Sequence, residues 1–107
     1  NQFFLGSILK TTDLYKSGNI STSNFYGCKI KGANLLRCDF YRATEALESK
    51  IESSYVHGSC ELTNCYVFGR DGIFKGKMKA GIFREGGYSE KHAQFDGTEI
   101  VNSTKID

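Results

Sequence analysis

A five-residue period between residues 23 and 43 constrains this chain more than any other feature. The segment divides into Ser23-Asn24-Phe25-Tyr26-Gly27, Cys28-Lys29-Ile30-Lys31-Gly32, Ala33-Asn34-Leu35-Leu36-Arg37 and Cys38-Asp39-Phe40-Tyr41-Arg42, followed by Ala43. Each step opens on a small residue, places a large apolar residue third, and ends on two others. A helix repeats its buried face about every 3.6 residues and a strand about every 2, so neither yields this spacing. A chain that takes a short extended step and then turns a fixed corner does.

These twenty residues resemble the pentapeptide-repeat family, with Ala33-Asn34-Leu35 and Cys38-Asp39-Phe40 matching its A(D/N)Lxx pattern most closely. The resemblance implies a right-handed quadrilateral β-helix with about four pentads per coil. It also implies that Phe25, Ile30, Leu35 and Phe40 point inward and that Ser23, Cys28, Ala33 and Cys38 sit beside them at the corners. The alternate positions, including Lys29, Lys31, Arg37 and Arg42, then face water.

Downstream the rule persists but slips. The register places a large inward residue at position 45, where Glu45 stands, and one-residue shifts then restore Ser49-x-Ile51, Ser54-x-Val56, Cys60-x-Leu62 and Cys65-x-Val67. From Gly72 the step reads as about four, in Gly72-x-Phe74, Gly76-x-Met78 and Ala80-x-Ile82, before Ala93-x-Phe95 and Thr98-x-Ile100 return to five. Before the clean block only Thr12-x-Leu14 fits well. The fold expected is all-β: one irregular right-handed parallel β-helix, a pentapeptide-repeat-like solenoid of about four to five coils spanning 1–107. Residues 1–22, with Phe3 to Leu9 among them, and 88–107 are the expected capping or irregular ends. Twelve Gly and no Pro suit tight corners and uninterrupted ladders. The rival is an antiparallel β-sandwich with Gly-rich turns at 69–72 and 86–87, but 23–43 holds no long alternating strand.

A chain of 107 residues fits one domain. Because it begins at Asn1 rather than Met, it reads as a piece of something longer. Fourteen Lys+Arg against twelve Asp+Glu leave a formal charge of +2, which argues against both an acidic DNA mimic and a strongly basic nucleic-acid protein. No run of about 18 apolar residues could span a membrane, and Phe3-Phe4-Leu5 lacks the basic region of a signal peptide. Cys28, Cys38, Cys60 and Cys65 would allow three disulfide connectivities, but their spacing forms no paired zinc knuckle. Each takes a slot that elsewhere holds Ala, Ser or Thr, so they read as small buried thiols in a reducing compartment.

No catalytic set emerges. Glu45, Glu48 and Glu52 could serve carbohydrate chemistry, but they fall where the register breaks and read as an irregular loop or short helix. A hexapeptide-repeat acyltransferase would need a six-residue period and a catalytic His; His57 and His92 are isolated. Cys60 lies on the inward register and so is not an exposed thiolate near His57. Gly69-Arg70-Asp71-Gly72 is a turn and not a phosphate cradle.

Two surface features remain. Lys75, Lys77 and Lys79, spaced by two and extended by Arg84, would form a cationic row along one face of an extended segment, with Phe74, Phe83 and Tyr88 near enough to add stacking. Tyr26, Tyr41 and Tyr66 follow inward positions and face outward, which suits protein recognition. The expectation is a non-enzymatic structural or protein-interaction module with no cofactor, no metal and no membrane contact. Its partner-binding residues would be Lys75, Lys77, Lys79, Arg84, Tyr26 and Tyr41. A protein partner is expected, with nucleic acid as the weaker reading of the lysine row and association through the solenoid ends. Gly-Ile-Phe-Arg-Glu-Gly at 81–86 and Gly-Thr-Glu-Ile-Val at 97–101 also resemble head-associated proteins of tailed phages, among them the inhibitor of the prohead protease. That resemblance implies a bacteriophage setting, a role in capsid assembly or as a protease inhibitor, and a location in the host cytoplasm or virion. The alternative, which the pentapeptide resemblance implies, is inhibition of a DNA-acting enzyme such as a type II topoisomerase.

Overall fold

A computed structural model describes residues 2–5, 8–10 and 13–106. All regular structure among them is β, and every strand pairs with its neighbours in parallel. That excludes the sandwich, whose sheets would be antiparallel.

The chain winds into a solenoid of about six turns, more than the four to five read from the sequence. Its coil has three sides and not four. The first face stacks residues 13–15, 29–31, Glu45–Leu47, Glu61–Thr63, Lys77–Lys79 and Gln94–Asp96. The second stacks Gln2–Leu5, 18–21, 34–36, Lys50–Glu52, Tyr66–Phe68, Ile82–Arg84 and Glu99–Val101. The third stacks Ile8–Lys10, Asn24–Tyr26, Asp39–Tyr41, Tyr55–Val56, Ile73–Phe74, Gly87–Tyr88 and Thr104–Lys105. The clean repeat block therefore covers one coil and begins the next, because Phe25 lies beneath Phe40 on the same face, three pentads on. Both terminal segments contribute rungs to these ladders. Gly6, Ser7 and Thr12, which belong to the Phe3 to Leu9 and Thr12-x-Leu14 readings, lie outside the described residues.

Many corners follow one recipe, although those at 57–60, 75–76 and 89–93 hold no left-handed residue. The last residue of a step turns left-handed, as at Gly27 (φ 64), Arg37 (φ 54), Glu48 (φ 50) and Asn64 (φ 53), and the next residue is small and buried. At three corners the hydroxyl of that Ser or Thr accepts the backbone N–H of the adjoining coil: Thr44 from Cys28 at 3.2 Å, Ser49 from Ala33 at 3.2 Å and Ser54 from Cys38 at 3.1 Å. The hydroxyl hydrogen goes to a carbonyl two or three residues back. Cys38 and Cys65 send their thiols to the equivalent carbonyls of Leu36 and Thr63, so cysteine is an interchangeable occupant of the slot. None of the four cysteines is in a disulfide, and all are buried.

The interior is three columns of apolar side chains. Ile30, Ala46, Leu62 and Met78 line the first face, Ile20, Leu35, Ile51, Val67 and Phe83 the second, and Phe25, Phe40, Val56 and Phe74 the third, all buried. The slip expected at position 45 has a local cause. Ala43 is an extra left-handed corner residue (φ 63), and the inward place passes to fully buried Ala46, whose small side chain hides the apolar signal. Thr44 to Glu52 is accordingly two more rungs and not a loop or helix.

The four-residue step from Gly72 holds once, since Phe74 and Met78 are both buried, and is then corrected: Gly76, Gly81 and Gly86 return the period to five. Ala80 turns the corner (φ 57), Gly81 takes the small slot, and Phe83 is buried while Ile82 is 37% exposed. Only glycine fits at 81, where a Cβ would overlap the Cys65 carbonyl oxygen. Ile100 holds the inward register beside Phe83 yet is 44% exposed, because no described strand lies beyond it.

Candidate interaction face

The three outer faces differ in chemistry. The first carries two ion pairs: Lys31 with Glu48 of the adjoining corner at 3.7 Å and Lys79 with Glu61 at 3.5 Å. Such half-exposed pairs contribute little to stability and describe a solvated surface. The expected lysine row is broken by geometry. Gly76 is a corner, so Lys75 lies at the edge of the third face while Lys77 and Lys79 lie on the first. Arg84 is on the second face, paired with Glu85 at 3.6 Å. The aromatics expected to stack beside the row face inward: Phe74 and Phe83 are buried, and Tyr88 packs edge-on against Phe83 and Phe95. Glu45, Glu48 and Glu52 are spread over two faces and the corner between them.

The second face carries a shallow concavity of about 410 Å³ lined by Asn19, Asn34, Leu36, Lys50, Glu52 and Phe68. Asn34 donates its amide to Asn19 at 3.1 Å, and Tyr66 stacks on Phe68 at 4.7 Å.

On the third face the sequence places an aromatic residue directly after successive inward residues: Tyr26 after Phe25, Tyr41 after Phe40 and His57 after Val56. Parallel register brings them into line. Tyr26 and Tyr41 are stacked at 4.8 Å with 9° between planes, a separation equal to the strand spacing. Tyr41 stacks on His57 at 4.0 Å, and His57 on Tyr55 at 4.1 Å. Two cations lie against the row: the Arg42 guanidinium 5.7 Å from the Tyr26 ring centre and the Lys75 ammonium 5.4 Å from that of Tyr55.

Two consequences follow from this row. Its ring faces are taken by neighbours or cations, so it offers outward only ring edges, phenol hydroxyls and imidazole nitrogen. Its groups also tune one another: partial burial, then the charge of Lys75, lowers the His57 pKa below the ordinary histidine value, against the opposing pull of Asp39. Burial and Asp39 raise the Tyr41 phenol, whose hydroxyl reaches the Asp39 carboxylate at 3.5 Å. Tyr26, Tyr41 and Lys75 of the sequence-derived set therefore meet on one face, while Lys77, Lys79 and Arg84 do not join them. Tyr55, His57 and Asp39 were missed, although the fifteen- to sixteen-residue spacing of Tyr26, Tyr41 and His57 carries the signal.

No known family profile matches the chain, and no curated protein does. Among solved structures the chain is similar to a trypsin-treated variant of QnrB1, a plasmid-mediated fluoroquinolone resistance protein. That match has 11% identity and a TM-score of 0.41, covering 99% of this chain and 84% of that one. A second QnrB1 variant aligns at 11% identity with a TM-score of 0.36, over 94% of this chain and 68% of that one. The functional reading rests on the third face itself.

Proposed function

We propose that this chain is a non-enzymatic protein-interaction module whose third face is the docking surface. The observation that carries this reading is the row Tyr26, Tyr41, His57 and Tyr55, with Arg42 and Lys75 against it, on a rigid ladder. Tyrosine and arginine are among the side chains most enriched at binding hot spots, and rings already held in a stack lose little further freedom on docking. A solenoid whose interior is filled by side chains offers surfaces in place of an enclosed site.

A phage setting, with a role in capsid assembly or protease control, is supported by the motifs at 81–86 and 97–101 alone. The alternative of imitating DNA toward a topoisomerase finds no support in the charge of the faces, where Lys29, Lys31, Lys50, Lys75, Lys77 and Lys79 all project.

The test is capture from lysate on the immobilised chain, with and without nuclease, comparing the native protein with Tyr41→Ala plus Tyr55→Ala. A discrete protein retained after nuclease and lost with the double variant supports the reading. Capture that is indifferent to both tyrosines, or that collapses with nuclease, overturns it.

A further inference from the structure

The geometry points to an extended acidic peptide segment as the occupant of the third face. This inference rests on the interaction-face reading and gives the partner its chemistry.

A nucleobase or sugar ring docks by lying flat against an aromatic face, and here the faces are already occupied. What projects is a line of hydroxyl and imidazole edges with two cations against it. Neither Arg42 nor Lys75 has an ion pair among the described residues; on the first face Lys31 and Lys79 do, while Lys29 and Lys77 do not. Asp39 is the carboxylate beside the row, and it lies within reach of the Tyr41 hydroxyl. The face thus carries two cations without an ion pair and phenol and imidazole edges that can donate, with Asp39 as the carboxylate beside them, and its complement is a short series of carboxylates.

Two cations are too few to hold a polyphosphate backbone against salt, since nucleic-acid affinity without stacking scales with the number of phosphates neutralised. An extended peptide meets the geometry better. It presents alternate side chains on one side about every 6.6–6.8 Å, so a run with acidic residues at every second position can reach both cations and the phenols between them.

The probe is a synthetic eight-residue peptide alternating Glu and Ser, titrated by fluorescence anisotropy into the 107-residue chain at low ionic strength. Peptides alternating Lys and Ser, and an oligomer of eight thymidines, serve as comparisons. Saturable binding of the acidic peptide is expected, weakened at least tenfold by Arg42→Glu with Lys75→Glu and tightened a few-fold by Asp39→Asn. Lys29→Glu with Lys77→Glu makes the same change of net charge on the first face and should leave affinity within about twofold. Circular dichroism and the unfolding midpoint check that each variant is folded, and Lys75→Ala alone provides a milder change at one end of the row.

Absence of saturable binding, equal weakening by the first-face pair, or tighter binding of the thymidine oligomer would each overturn the inference. If lysate capture depends on Tyr41 and Tyr55 while the acidic peptide fails to bind, this inference falls and the interaction-face reading stands.

Discussion

The Ser49 hydroxyl accepts the backbone N–H of Ala33 in the adjoining coil at 3.2 Å and donates its own hydrogen to the Leu47 carbonyl at 2.9 Å. One buried oxygen thus satisfies a donor that the ladder leaves over at the corner. Ser49→Ala removes the acceptor and strands the Ala33 N–H, at a cost of about 1–3 kcal/mol. Ser49→Thr should retain most stability, because Thr44 fills the equivalent slot of the neighbouring corner. Urea unfolding of the parent and the two variants measures both differences, and a Ser49→Ala midpoint equal to the parent's would show that the bond contributes nothing.

Phe40 and Leu35 sit in the interior columns with essentially no exposure, Phe40 against Phe25 at a ring separation of 5.3 Å. Phe40→Asp or Leu35→Asp puts a carboxylate where no partner can reach it, a loss of more than about 4 kcal/mol that a domain of this size does not survive. Calorimetry should show no cooperative transition for either variant. A transition close to the parent's would refute the inward register.

His57 lies between the rings of Tyr41 and Tyr55, with Asp39 and Lys75 as the charged groups beside it. Burial and Lys75 depress its pKa below 6.5, so the neutral ring is favoured in the folded state. The stabilisation is present above 6.5 and is lost as pH falls through the folded value. Lys75→Ala should move the NMR titration of His57 upward, and Asp39→Asn should move it further down. A shift of opposite sign in either variant contradicts the arrangement of the row.

Burial pushes the Cys65 thiol up to about 11 and raises Cys38 and Cys60 above 9.0. These groups favour the folded state fully below 9.0, and that contribution fades as pH rises toward the folded value. All four cysteines should resist iodoacetamide in the native protein at pH 8 and react together on unfolding. Mass spectrometry of the alkylated chain distinguishes this from selective labelling of one exposed thiol.

The five-residue period was legible because residues 23–42 contain no insertion, and it was enough to identify a solenoid and its inward residues. The number of sides was not. Nothing local distinguishes the third step of a three-sided coil from that of a four-sided one; only the pairing of Phe25 with Phe40 across the ladder decides it. Apparent slips arose where side-chain size misled. Ala46 is inward but small, and Ile82 is large but outward. The lysine row failed for a related reason, since a spacing of two implies one face only along an unbroken strand and Gly76 is a corner. Tyr26 and Tyr41 were visible as outward residues, but the stacking of Tyr26 on Tyr41 and of Tyr41 on His57 needed the coil length that the sequence concealed.

That coil length also acts as a reading frame for the surface. Insertion or deletion of a whole coil leaves each column in phase with those above and below it. Loss of a single pentad between Tyr41 and Tyr55 would preserve every corner and every buried slot, yet carry all later residues onto the neighbouring side. The solenoid would still wind, but the aromatic row would end at Tyr41. Lineages of such chains can therefore change length coil by coil while keeping a face intact, and can erase that face in one step without losing the fold.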